Sequence, residues 1–205
     1  MATLTADGRV LLVELRGDSV RAAQGSMVAY TGTVEFKSAG MGGGDGLKAA
    51  LKRKVAGESL QLMECTGTGR VHVAVDAQYV SVIDLADDTL AVESASLLAA
   101  TQGLTLGVKF AGLGGAMAGQ GVATTTVTGS GQVALLSHGP MITLEVRPGQ
   151  SLVVDPDAFV ASTGSLSTSI VSGVSWRSLV GEGSGEAFSM RFDGSGLVCL
   201  QPAER

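Results

Sequence analysis

Hydrophobic residues recur at every second position in several short runs of this chain. Leu11, Val13 and Leu15 alternate with their neighbours, and Val71, Val73 and Val75 do the same around His72 and Ala74. Ile142, Leu144 and Val146 alternate with Thr143, Glu145 and Arg147. A period of two sends successive side chains to opposite faces, so these runs predict antiparallel strands with one wet face. Arg16-Gly17-Asp18, His138-Gly139-Pro140 and Pro148-Gly149 separate the runs and read as turns. One segment departs from the pattern. Leu47, Leu51 and Val55 recur at i, i+4 and i+8, which predicts a short amphipathic helical turn.

The strand pattern is written three times. Thr66-Gly67-Thr68-Gly69-Arg70-Val71 returns as Thr128-Gly129-Ser130-Gly131-Gln132-Val133, and again as Asp193-Gly194-Ser195-Gly196-Leu197-Val198. Upstream, Gly17-Asp18-Ser19-Val20 leads to Ser26-Met27-Val28-Ala29, with Thr31 and Gly32 after it. Gly149-Gln150-Ser151-Leu152 leads at the same offsets to Ala158-Phe159-Val160-Ala161, Thr163 and Gly164. In the middle copy Asp87-Asp88-Thr89-Leu90 leads to Ser96-Leu97-Leu98-Ala99 and Thr101, with Gly103 one residue late. Two motifs in one order, three times over, define repeats at about 9–76, 79–137 and 141–201 within a single body spanning 1–205. Each Gly-x-Gly leads into a Val-containing run, which predicts a hairpin or bulge with positive φ. A unit of about 60 residues is marginal alone. The expected architecture is therefore all-β, with three antiparallel units closing as a pseudo-threefold barrel or prism that also protects its sheet edges; a linear array of three units is the alternative.

Composition supports a core. Of 205 residues, 45% are hydrophobic and only 16% charged, and mean hydropathy is +0.34. Thirty glycines against four prolines suit tight turns rather than a Pro-rich linker. Net charge is −5, the opposite of the basic face that phosphate neutralisation demands, so no nucleic-acid partner is expected. Cys65 and Cys199 lie among apolar residues, outside any C-x-x-C, and read as small buried hydrophobes in a reducing compartment. Residues 1–7 carry no basic and apolar leader pattern, and the weakly charged stretch 94–122 is broken by glycine too often for a spanning helix. A cytoplasmic protein, with peripheral membrane association left open, is expected.

A family resemblance rests on an ordered set of motifs: Gln-Gly-Ser-Met-Val-Ala at 24–29, Gly-Leu-Lys at 46–48, Ala-Gly-Glu-Ser-Leu at 56–60, Thr-Gly-Thr-Gly at 66–69 and Asp-Gly-Ser-Gly-Leu-Val-Cys-Leu-Gln at 193–201. Together they resemble the family named for altered inheritance of mitochondria, protein number twenty-four, over about Val13 to Gln201. The resemblance implies a three-repeat β structure of the type shared with the tryptophan RNA-binding attenuator protein, a short double-stranded β-helix. It also implies relatives associated with the mitochondrial inner membrane and its shaping, and bacterial members without an agreed activity. The chain departs from the family pattern in two ways. Its middle and third copies lack a full Gly-Leu-Phe-Gly-Gly segment, and Ser130 and Ser195 stand where proline is common.

Candidate chemistry is sparse. A cupin-like metal centre needs two or three histidines and a carboxylate, whereas His72 and His138 are the only histidines and read as surface or turn residues. Nucleophile elbow, Walker loop and complete Gly-x-Gly-x-x-Gly are all missing from the sequence. Asp84, Asp87 and Asp88 lack calcium-loop spacing and read as a solvated acidic turn. No catalytic residue, cofactor or metal is expected.

The notable polar feature is Lys48, Lys52, Arg53 and Lys54, four cations within seven positions, following the insertion Met41-Gly42-Gly43-Gly44. They are candidates for contact with an anionic membrane or an acidic partner, against the plainer role of a solubilising cap. Trp176, the only tryptophan, is a candidate anchor for a protein partner. The expected function is a non-enzymatic structural or interaction module, peripheral to a membrane and open to homo-oligomerisation. The alternative is a small-ligand binder or cupin-like metal protein using a cavity on the threefold axis.

Overall fold

A computed structural model describes residues 1–39, 60–111, 122–172 and 188–202. Among these residues twelve strands form one antiparallel sheet. They are β1 (Thr3–Asp7), β2 (Val10–Ala23), β3 (Met27–Ala39), β4 (Leu62–Val73), β5 (Tyr79–Glu93), β6 (Leu97–Thr101), β7 (Thr105–Ala111), β8 (Val122–Ser137), β9 (Ile142–Val146), β10 (Leu152–Val154), β11 (Phe159–Ser172) and β12 (Phe188–Leu200). The path runs β10-β12-β11-β5-β8-β6-β2-β4-β3, with β1 on β2, β7 on β8 and β9 on β12. The sheet is not closed, because β3 and β10 end the path without pairing each other. The prism expected from the sequence is thus not formed by the backbone pairing of the chain.

Each Gly-x-Gly motif lies inside a long strand, β4, β8 or β12, that is paired along both edges. β4 runs between β2 and β3, β8 between β5 and the collinear β6 and β7, and β12 between β11 and the collinear β9 and β10. The strand pair β3–β4 shows why glycine is needed. Gly32 and Gly69 face each other, and a Cβ on Gly69 would lie 2.0 Å from the Thr31 carbonyl oxygen. Only a residue without a side chain lets the two backbones approach this closely.

The predicted turn at Arg16-Gly17-Asp18 is instead a bulge within β2. Leu11, Val13 and Leu15 are buried before it, Val20 and Ala22 after it, so the buried parity switches from odd to even. A one-residue slip normally turns a strand inside out, and the bulge between Arg16 and Asp18, with Gly17 at φ 82°, restores the buried face. β5 has the same device between Leu85 and Asp88, where Asp87 takes φ 55°. Pro148-Gly149 does form the expected turn, between β9 and β10.

Three apolar clusters hold the sheet together. The first combines Leu11, Val13, Val20 and Val71 with Leu98, Ala134 and Leu136. The second combines Leu85, Leu90, Leu97, Val127 and Leu135 with Val160, Ala161 and Cys199. The third is local to the last strands and includes Phe159 stacked on Phe192 with centroids 5.6 Å apart. Each fully buried Leu or Phe contributes about 1.5–3 kcal/mol relative to exposure.

Candidate interaction surfaces

Lys48, Lys52, Arg53, Lys54 and Trp176 all lie outside the described residues, so the structure brings none of them together. The remaining polar candidates are placed. His72 is a half-buried residue of β4 rather than a surface or turn histidine, and its Nδ1 is buried with no hydrogen-bond partner among the described residues. The strand continues through His72 because Val71 and Val73 on either side are both wholly buried. His138 does sit in the loop after β8, where its backbone N–H donates to Gln201 Oε1 at 3.0 Å. Among the described residues no three His, Cys, Asp or Glu side chains gather into a metal-binding group.

The carboxylates of β5 have structural partners. Asp84 accepts from Gln132 Nε2 at 2.9 Å, and the same Gln132 accepts the Leu4 N–H through Oε1 at 2.8 Å. Asp88 accepts from the Thr163 hydroxyl at 2.9 Å, tying β5 to β11. Cys65 and Cys199 are buried free thiols. Burial, with a smaller effect of Glu64, pushes the Cys65 thiol up to about 11. Burial also raises Cys199, against an opposing contact from the Thr143 hydroxyl at 3.8 Å. Such thiols are poor nucleophiles.

Among the described residues, two clefts can be outlined on the surface. One, of about 320 Å³, is lined by Ser19, Arg21, Glu64 and Gln102. There the Arg21 guanidinium donates to the Leu104 carbonyl, and burial lowers its pKa while Glu64 opposes the shift. The other, of about 420 Å³, is lined by Arg9, Asp76, Tyr79 and His138, with Arg9 lying 4.8 Å above the Tyr79 ring. Neither pairs a nucleophile with a base.

The apolar surface is more informative. Apart from Met1, the exposed large hydrophobics among the described residues all lie at the two ends of the sheet path. Met27, Val28 (64% exposed) and Tyr30 (49%) stand on β3. Ile142, Leu144, Val153 (57%) and Leu197 stand on β9, β10 and the adjoining β12. Exposed ion pairs flank both ends: Glu35–Lys37 at 2.9 Å on β3, Glu145–Arg147 at 2.6 Å beside β9, and Arg191–Asp193 at 2.9 Å beside β10. Charges of this kind discourage indiscriminate edge pairing. Sequence reading placed no site here, because Met27-Val28-Ala29 reads like its buried counterparts.

These features define an all-β, glycine-paired sheet protein whose exposed large apolar side chains, among the described residues and apart from Met1, lie along two strand edges. The chain belongs to the family described as mitochondrial biogenesis AIM24, whose model matches residues 2–203. It shares its fold with a Streptococcus pyogenes protein solved by X-ray crystallography. That similarity covers 100% of this chain and 94% of the other at 21% identity, with a TM-score of 0.76. No curated protein matches the chain. Among the described residues no helix is long and apolar enough to cross a membrane.

Proposed function

We propose that the chain is a non-enzymatic structural module, three copies of one β unit in series, that works through surface contact inside the cell. The observation that carries this reading is that, among the described residues and apart from Met1, the exposed large apolar side chains lie at the two unpaired ends of the sheet. The three-copy part is supported by the recurrence of a Gly-x-Gly strand flanked on both edges, in β4, β8 and β12. Family membership assigns mitochondrial biogenesis as the broad setting of relatives and names no reaction.

An anionic membrane surface is the second contact favoured, on the strength of Lys48, Lys52, Arg53 and Lys54. Each cation near such a surface contributes about 1 kcal/mol. The protein is expected to sediment with phosphatidylglycerol vesicles in low salt and to release in high salt. Neutralising the four cations together is expected to abolish sedimentation; failure of the unsubstituted protein to sediment in low salt removes the membrane reading, and sedimentation that survives in the variant removes the assignment to these four residues. Metal analysis and native mass spectrometry of protein from its own host test the wider claim. A stoichiometric metal or a retained small molecule overturns the non-enzymatic reading in favour of a ligand-binding or cupin-like protein.

A further inference from the structure

We infer that the two free ends of the sheet join head to tail between copies of this chain, β3 of one pairing with β10 of the next. The inference rests on the surface-contact reading and names its partner as a second copy.

The template is inside the chain. At one joint β2 pairs with β6 as Val20↔Thr101, Arg21↔Ala100 and Ala22↔Ala99. At the other, β5 pairs with β11 as Leu90↔Thr163, Ala91↔Ser162 and Val92↔Ala161. Both joints are three residues long, antiparallel, and end on the same Ala-x-Thr. The chain has a third Ala-x-Thr, Ala29-Tyr30-Thr31 on β3, and a third counterpart to Val20 and Leu90, which is Leu152 on β10. Among the described residues neither has a strand on its outer side. The same register sets Leu152 opposite Thr31, Val153 opposite Tyr30 and Val154 opposite Ala29. It brings together Tyr30 and Val153, two of the most exposed apolar residues, as an aromatic and β-branched cross-strand pair.

A shared bulge makes the comparison sharper. β3, β6 and β11 each slip register against their Gly-x-Gly strand, between Met27 and Ala29, Leu97 and Ala99, and Phe159 and Ala161. The extra residues are Val28, Leu98 and Val160. Leu98 and Val160 are fully buried at the internal joints, whereas Val28 is 64% exposed. The partner surface shows the same deficit. Ile142 and Leu144 lie opposite Leu200 and Val198 as Leu11 and Val13 lie opposite Val73 and Val71, yet Leu11 and Val13 are buried and Ile142 and Leu144 are exposed. His72, opposite Ala29, occupies the place of the buried Ala134 and Cys199. Each end thus carries half of a joint already built twice. A contact between unlike ends propagates into a ring or a filament rather than stopping at a dimer.

The test uses charged substitutions at exposed positions, with urea unfolding confirming that each variant keeps its fold. Light scattering and native mass spectrometry of the intact chain are expected to show a concentration-dependent series beyond dimer. Val28→Asp and Val153→Asp are each expected to weaken self-association by about 100-fold, from an unpaired charge placed in an apolar contact. Because each variant retains one good end, mixing the two restores a heterodimer and nothing larger. A Tyr30→Cys/Val153→Cys chain is expected to oxidise into a ladder of covalent oligomers. Wild-type protein that stays monomeric at high concentration overturns the inference. So does a dimer that Val153→Asp leaves intact, which points to like ends pairing, or a disulfide formed within a monomer, which points to closure inside one chain. Vesicle sedimentation by a strictly monomeric wild type would leave the surface-contact reading standing while this inference fell.

Discussion

Replacing Gly69 and Gly131 by alanine, one at a time, tests the backbone contact on which the sheet is built. Both glycines hold positive φ, 156° and 155°, so each substitution carries about 1 kcal/mol of strain. Their surroundings differ. The new methyl at Gly69 meets backbone: Thr31 oxygen at 2.0 Å, and Gly32 Cα and Thr31 carbonyl carbon at 3.1 Å. The methyl at Gly131 meets side chains: the Thr101 hydroxyl at 2.5 Å and Leu104 carbons at 3.2 and 3.3 Å. A hydroxyl can rotate away, losing the hydrogen bond it accepts from the Gln132 N–H at 2.9 Å, worth about 1 kcal/mol. A backbone carbonyl in a paired strand moves only with its neighbours, at the upper end of the roughly 1–3 kcal/mol typical of overpacking. Gly69→Ala is therefore expected to cost about 4 kcal/mol and Gly131→Ala about 2 kcal/mol. With a urea slope of about 2 kcal/mol/M, the two midpoints separate by about 1 M. Equal losses in the two variants, or a Gly131→Ala loss exceeding that of Gly69→Ala, would refute the claim that backbone proximity dictates glycine in β4.

Three further outcomes follow from the structure. With the Cys65 thiol pushed up to about 11, only about one molecule in a thousand carries the thiolate at pH 8. Alkylation of folded protein should be far slower than in urea and should accelerate towards that pKa as pH rises. Leu98→Ala, at a fully buried bulge position, is expected to destabilise by about 2–5 kcal/mol, whereas Val28→Ala at the matching exposed position should stay within about 0.5 kcal/mol when chains are dilute; thermal unfolding compares them. The Arg191 guanidinium, with help from the Ser151 hydroxyl, holds Asp193 below the usual carboxylate range. A depressed folded value means the favourable contribution is present above the unfolded pKa and fades as pH falls through the folded one, so Asp193→Asn should approach wild-type stability only in strong acid. An NMR titration in which Arg191→Ala leaves the Asp193 pKa in place would contradict this account.

Much of the fold was legible. Alternation at Leu11, Val13 and Leu15 marked β2, and the recurring Thr-Gly-Thr-Gly pattern marked the central strands, because period and glycine spacing are local properties. Arg16-Gly17-Asp18 misled for a physical reason. A residue with positive φ serves equally in a turn between strands and in a bulge within one, and only the partner strand β4 decides between them. The candidate surface was harder still. Met27-Val28-Ala29 and Phe159-Val160-Ala161 are alike in sequence, and their opposite exposure depends on whether another strand lies alongside. That is a property of topology, which no spacing within either segment encodes. The cysteines were legible because their apolar neighbours fill the strands that bury them.

The three apolar clusters are not equivalent supports. Leu98, Ala134 and Leu136 belong to the cluster shared with the first strands, while Leu97, Val133 and Leu135 belong to the cluster shared with the last. Successive residues of β8 therefore grip opposite neighbours, so this strand acts as a keystone. Fraying at β3 or β9 can proceed while β8 holds, but once β8 lets go both flanks lose their footing together. The terminal strands are accordingly the parts of the molecule free to breathe, and amide protons in β8 should exchange only through opening of the whole.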